Sequence, residues 1–238
     1  YTGFDQAQPV LLDGLELLEY RGYDSAGIAC QDGDGSISIR KKAGKVAMLR
    51  ESCEQSPLLS SCGIGHTRWA THGGVTDENA HPHRVGKVAL IHNGIIENYH
   101  DLVKRFQLQE QLCSETDTEV AAAVINYFYK GDPFEALKHA ISQFIGSFAF
   151  CVLFSDQPGR IYAVRNVSPM VASHSEKGSF IASDLTALVA HSEQYFIVPE
   201  YHILTLTPEE ILIQDMEGRK VCPELLTVSW SIEAAQKG

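Results

Sequence analysis

Between positions 63 and 74 the sequence reads Gly-Ile-Gly-His-Thr-Arg-Trp-Ala-Thr-His-Gly-Gly, crowding an arginine, a tryptophan and two histidines among glycines. Such a loop has the makings of a ligand clamp. The Arg68 guanidinium can grip a carboxylate through two parallel hydrogen bonds, Trp69 can cover a small ligand, and glycines let backbone N–H groups come close. The same composition also fits an ordinary surface loop with one stacked Arg–Trp pair. Further on, Asn93-Gly94 sets a carboxamide donor beside a glycine N–H at the end of an apolar run, Val88-Ala89-Leu90-Ile91. That is the equipment of an oxyanion hole, and without context it is also a plain Asn-Gly turn. In Glu115-Thr116-Asp117-Thr118-Glu119 three carboxylates fall within five residues. They precede a helical segment, where negative charge is favourable and capping explains one of them. A second is then left to bind an ammonium group.

Arg68 for a carboxylate, Asp117 for an ammonium, and Asn93 with Gly94 for a carbonyl oxygen together match the groups of an amino acid with a side-chain amide, which is glutamine. Spacing along the chain does not show that the three segments meet. His66, His72, His81, His83 and His92 raise a metal site as a rival, since imidazole is the commonest zinc ligand. Their spacings match neither H-E-x-x-H nor a zinc finger, and loop histidines are more often hydrogen-bonding residues, so no metal and no cofactor is expected.

These residues need elements to hold them. Leu11, Leu15 and Leu18 recur at helical spacing, with Pro9 suited to a first turn, so a helix of about three turns opens the chain. Residues 25–30 and 36–40 flank Asp32-Gly33-Asp34-Gly35 and predict a β-hairpin. A buried strand over 88–91 is expected to deliver a turn at His92-Asn93-Gly94. Residues 118–128 read as a helix capped by Thr116 or Asp117, and a second helix follows from 133 to 141. Strands are expected at 148–154, 160–164, 179–182, 195–198 and 202–206. Helices and strands fall in runs instead of alternating, which predicts an α+β layered domain.

With 238 residues and 44% apolar composition, one sizeable domain is expected over 1–238. Thirty acidic against 19 basic side chains, a formal charge of -11, disfavour a nucleic-acid partner. No run approaches the roughly 20 apolar residues of a membrane span. Cys30, Cys53, Cys62, Cys113, Cys151 and Cys222 are scattered without a C-x-x-C pair, and read as reduced thiols of a cytoplasmic protein.

Five motifs carry a resemblance: 18–27 (Leu-Glu-Tyr-Arg-Gly-Tyr-Asp-Ser-Ala-Gly), 66–73 (His-Thr-Arg-Trp-Ala-Thr-His-Gly), 79–83 (Asn-Ala-His-Pro-His), 92–98 (His-Asn-Gly-Ile-Ile-Glu-Asn) and 114–119 (Ser-Glu-Thr-Asp-Thr-Glu). In these the chain resembles the glutaminase (type 2 glutamine amidotransferase) domains of the glutamine-fructose-6-phosphate aminotransferase (isomerizing) family, the glucosamine-6-phosphate synthases. The first motif separates it from amidotransferases that make purine precursors or asparagine. The resemblance implies an N-terminal-nucleophile (Ntn) hydrolase fold, a four-layer αββα sandwich. It implies that Arg68 holds the α-carboxylate of L-glutamine, Asp117 its α-amino group, and Asn93 with Gly94 the oxyanion. Trp69, Thr71 and His72 would lie on a loop over the site, and Arg21 would support the nucleophile.

That nucleophile, in the resembled family, is an N-terminal cysteine in a Cys-Gly-Ile-type opening, whose thiol attacks the amide and forms a thioester. The sequence begins at Tyr1 and is expected to lack that extreme N-terminus. A phenol is no substitute at neutral pH. The resemblance further implies that ammonia passes to sugar isomerase domains of the same polypeptide, expected to follow a linker at the polar 233–238 segment, and a homodimer is a possible assembly. Two other readings stay open at this point: a catalytically silent glutamine- or glutamate-binding module, and an amidotransferase domain with another acceptor.

Overall fold

The structure, a computed structural model, describes residues 1–69 and 73–228. Fourteen strands are described: β1 (Thr2–Gly3), β2 (Ser25–Gln31), β3 (Ile37–Ala43), β4 (Cys62–Arg68), β5 (His83–Val85), β6 (Val88–Ile96), β7 (Gly146–Phe154), β8 (Ile161–Asn166), β9 (Val171–Ser175), β10 (Gly178–Ala182), β11 (Gln194–Ile197), β12 (Ile203–Leu206), β13 (Ile211–Gln214) and β14 (Leu226–Thr227). They form an eight-stranded sheet in the order β14-β11-β9-β10-β1-β4-β2-β3 and a six-stranded sheet in the order β13-β12-β8-β7-β6-β5. Neighbouring strands in both sheets run antiparallel. The helices are α1 (Ala7–Leu18), α2 (Val46–Gln55), α3 (Tyr99–Phe106), α4 (Asp117–Phe128) and α5 (Pro133–Ile141).

The layering follows from period-two side-chain alternation in strands buried on both faces. Along β7, Phe148, Phe150 and Val152 pack toward α3, α4 and α5, in one cluster with Leu102, Val124 and Leu137. The intervening Ala149, Cys151 and Leu153 face the other sheet, clustering with Ala29, Cys62 and Ile64. On β2, Ile28 turns instead toward α1 and α2, joining Leu12, Leu15 and Leu49. Three apolar clusters thus fill the three interfaces of an αββα sandwich, the expected α+β fold of the Ntn-hydrolase type.

Local chemistry sets the helix that matters most for the site. The Thr116 side chain caps α4 by accepting from the Glu119 N–H, as a Ser/Thr-x-x-Glu start favours. Glu119 reaches back to the N–H groups of Cys113 and Ser114. Thr116, not Asp117, is the cap residue, which leaves the Asp117 carboxylate for other work. Residues 117–125 of α4 are all buried, and Ala121-Ala122-Ala123 lets the helix lie close between β6 and α5.

Two expected local structures differ. The Gly63–Gly74 segment is not a loop throughout, because Cys62–Arg68 is strand β4, paired with β2 from Ser25↔Arg68 to Gln31↔Cys62. Its glycines serve packing: a Cβ at Gly63 would sit 2.9 Å from Leu11 Cδ1, and one at Gly65 would sit 3.2 Å from Leu15 Cδ1. They let α1 settle on the sheet. Nor does the chain turn at Asn93-Gly94, since β6 stays paired with β7 from Val88↔Phe154 to Ile96↔Gly146. Gly94 remains in the ladder at φ 130°, a conformation open essentially to glycine alone.

Candidate active site

The alternation that builds the core also builds the site. On β4, Cys62 and Ile64 belong to the core between the sheets, so His66 and Arg68 continue the same face. On β6, Ala89 and Ile91 lie against that core, and Asn93 continues it. At one end of the inter-sheet layer, apolar pairs therefore give way to polar ones.

A cavity of about 380 Å³ opens there and extends under α1 to Leu11, Leu15 and Leu18, and Arg21, Arg68, Trp69, Asn93, Gly94 and Asp117 all line it. Sequence reasoning had no means of showing that these segments meet; the fold brings them together. Arg68 is only 4% exposed. Its guanidinium donates to the carbonyls of Gly74 at 3.1 Å and Gly73 at 3.4 Å, and lies 4.0 Å from Asp24 Oδ1. Those contacts fix the fork and its charge at the cavity. Asp117, also 4% exposed, accepts from the Ile96 N–H at 2.8 Å and lies 3.9 Å from His92 Nδ1. Arg21 follows α1 in a short 3₁₀ turn and crosses the cavity rim to donate to Ser183 Oγ, with Asp184 3.6 Å away.

Trp69 is 61% exposed at the mouth and meets Tyr23 edge-on, ring centroids 5.5 Å apart. Thr71 and His72 lie outside the described residues. Of the other carboxylates in the 115–119 run, Glu115 accepts from Gly74 N and Asn79 Nδ2, tying the segment after Arg68 to the start of α4.

The histidines have hydrogen-bonding work. His66 Nε2 lies 2.9 Å from Asn93 Oδ1, His83 Nε2 3.0 Å from Thr116 Oγ1, and His92 Nδ1 3.1 Å from Thr118 Oγ1. His66 and His81 stack with centroids 4.2 Å apart. Burial keeps His66, His81 and His83 neutral: it lowers His66 to about 4 and His83 to about 3, and holds His81 well below the usual range. Among the described residues no cluster of three or more His, Cys, Asp or Glu could hold a metal ion. Sequence reasoning missed the His66–Asn93 bond and the part of Ser183. The first was within reach of strand periodicity, because His66 stands two residues before Arg68, but only once 62–68 is read as a strand.

Of the six cysteines, Cys151 alone lines the cavity. Burial in the apolar layer pushes its thiol up to about 12, so it is not a thiolate nucleophile at neutral pH.

The fold is the αββα sandwich of the Ntn-hydrolase type, and its cavity brings a buried guanidinium and a buried carboxylate together. The chain belongs to the glutamine amidotransferase domain family, whose model matches residues 66–190. Over its whole length it is 46% identical to a glutamine–fructose-6-phosphate aminotransferase (isomerizing) of Thermus thermophilus and 41% identical to that of Aquifex aeolicus. It spans 40% of the length of each. Among solved structures, the glutamine phosphoribosylpyrophosphate amidotransferase of B. subtilis superposes with a TM-score of 0.78 at 22% identity, covering 92% of this chain and 49% of that one. An allosteric regulatory enzyme of purine biosynthesis gives 0.77 at 23% identity, covering 90% and 48%. At such identities these two speak to the fold.

Proposed function

We propose that this chain is the glutaminase domain of a glutamine-fructose-6-phosphate aminotransferase (isomerizing). It hydrolyses L-glutamine to glutamate and ammonia through a cysteinyl thioester, and the ammonia serves glucosamine 6-phosphate synthesis by isomerase domains of the same polypeptide. The observation that carries this reading is the convergence of Arg68, Asp117 and Asn93-Gly94 on one cavity. A buried guanidinium suits an α-carboxylate and a buried carboxylate suits an ammonium, because both charges are strengthened where water is excluded. Asn93 Nδ2 and the Gly94 N–H are the donors for the oxyanion of the tetrahedral intermediate. The 46% identity to the Thermus relative directs the choice of acceptor chemistry.

The attacking thiol is assigned from the family resemblance, and the start of the sheet is compatible with it. Tyr1 exchanges two hydrogen bonds with Gly63, at 3.0 and 2.9 Å. Continued backward in that register at about 3.3 Å per residue, an extended segment would reach the level of Arg68 after about five residues. A cysteine there would face Arg68 and the Asn93-Gly94 donors. Its thiol attacks the amide carbon, ammonia leaves with a proton from the terminal amine, and water then cleaves the thioester.

The test uses the full-length protein, assayed for ammonia release from L-glutamine and by intact mass after exposure to a glutamine-like diazoketone. Alkylation at an N-terminal cysteine, with turnover abolished by its replacement with alanine, is the expected result. Tight glutamate binding in calorimetry without ammonia release would instead make the domain a silent binding module.

A further inference from the structure

We propose that His66 is a positioning residue for the oxyanion donor: its Nε2–H holds Asn93 Oδ1 and so points the Asn93 amide NH₂ into the cavity. This rests on the oxyanion reading above and names what orients the donor. A carboxamide alone does not choose which end faces a ligand, since oxygen and nitrogen exchange by a half-turn with almost no change in shape.

His66 sits on β4 of the eight-stranded sheet and Asn93 on β6 of the six-stranded sheet, so their 2.9 Å bond crosses between the two. His66 shares a face of its strand with Arg68. One bond therefore sets the oxyanion donor relative to the strand that carries the carboxylate-binding guanidinium.

The ring is well placed to be selective. It is buried and stacked on His81, with planes 28° apart, which restrains rotation. Being neutral, it carries one N–H. Among the described residues its Nδ1 makes no hydrogen bond of good geometry, and the His92 backbone exerts only a lesser pull on the ring than the Asn93 side chain does. A lone proton is better placed on the nitrogen that has an acceptor, and a carboxamide oxygen can only accept. The proton therefore lies on Nε2, and Asn93 Oδ1 is spent on it. What remains to face the substrate is Nδ2. Without His66 the amide can turn over and present oxygen to a developing oxyanion, an interaction that opposes the reaction.

The experiment compares His66→Phe, which keeps a stacking ring but no donor, with His66→Gln, whose side-chain amide can still donate to Asn93. Both are made in the full-length protein, alone and with Asn93→Ala, and assayed for glutamine hydrolysis. His66→Phe is expected to lower kcat about tenfold while KM and the glutamate Kd stay near wild type. His66→Gln should recover most of the loss, and His66→Phe should add little once Asn93 is alanine. A two-bond ¹H–¹⁵N spectrum of the wild-type protein should show the Nε2–H tautomer, a readout that stands even if a variant fails to fold. The inference falls if His66→Phe keeps wild-type kcat while Asn93→Ala loses it, if the two losses multiply, or if the proton is on Nδ1. If Asn93→Ala itself keeps full kcat, the oxyanion reading fails first and takes this inference with it.

Discussion

Replacing Gly94 by alanine tests the site's backbone most directly, because the structure says both what would strain and what would collide. At φ 130° an alanine is held where only glycine is at ease, a cost of about 1–3 kcal/mol. Its Cβ would lie 2.1 Å from Ser147 O and 2.6 Å from Ser147 C, both backbone atoms of β7. That strand cannot simply step aside, since Ser147 adjoins Phe148, whose side chain is fully buried against α3–α5. Strain and displacement together should cost about 3 kcal/mol or more. For a chain of this size that corresponds to a fall of about 6–12 °C in Tm. Gly131→Ala is the control, with φ 99° but nothing within 4 Å of the added Cβ, so strain acts without collision. Urea midpoints at unchanged m, together with ammonia release, measure the pair. Gly94→Ala should be clearly the less stable and should also lose turnover as the Gly94 N–H moves. If its midpoint falls no further than that of Gly131→Ala, the steric argument is wrong.

Arg68→Ala should raise KM for glutamine by about 10- to 100-fold, the worth of a charge-assisted hydrogen bond, and change kcat less; equal KM values would refute the carboxylate assignment. Asp117→Asn keeps an acceptor for the Ile96 N–H, so Tm should move little while the glutamate Kd measured by calorimetry rises about tenfold or more. Stability should fall with acid through the buried histidines. Their folded pKa values lie below the unfolded value near 6.5, so the unfolded chain binds more protons, and stability present above that pH is lost as pH drops toward about 4 for His66 and about 3 for His83. At pH 4.5 each should contribute about 2.5 kcal/mol of that loss, and His83→Gln, which can still bond Thr116, should reduce the acid loss of unfolding free energy, measured in urea, by about that much.

Segments whose chemistry and periodicity agree were legible in the sequence. The predicted helix over 133–141 coincides with α5, where Asp132 caps and Pro133 opens the first turn. The hairpin around Asp32–Gly35 and the strands expected at 148–154 and 202–206 differ from observation by only a few residues. What misled were glycines with non-local reasons. Gly63 and Gly65 weaken β propensity locally, yet are set by α1 pressing on the sheet, and Gly94 suggests a turn until its partner strand is known. Of the site, Arg68, Asp117 and Asn93-Gly94 were legible as chemical types. Their convergence is a product of two sheets meeting face to face, which no local spacing encodes.

The same meeting explains why packing and chemistry share strand β4 without conflict. Its helix-facing positions, Gly63 and Gly65, answer to α1, and its inter-sheet positions run from apolar Cys62 and Ile64 to polar His66 and Arg68. A slip of one residue would exchange the two sets, carrying a guanidinium under α1 and the glycines to the inter-sheet face. The seven-residue pairing with β2, from Ser25↔Arg68 to Gln31↔Cys62, guards against that slip. Register thus matters twice over, for the core at one end of the strand and for the polar cavity wall at the other. One wall of the cavity is consequently a strand paired along its whole length with β2, while Trp69, beside Tyr23, stands exposed at its edge.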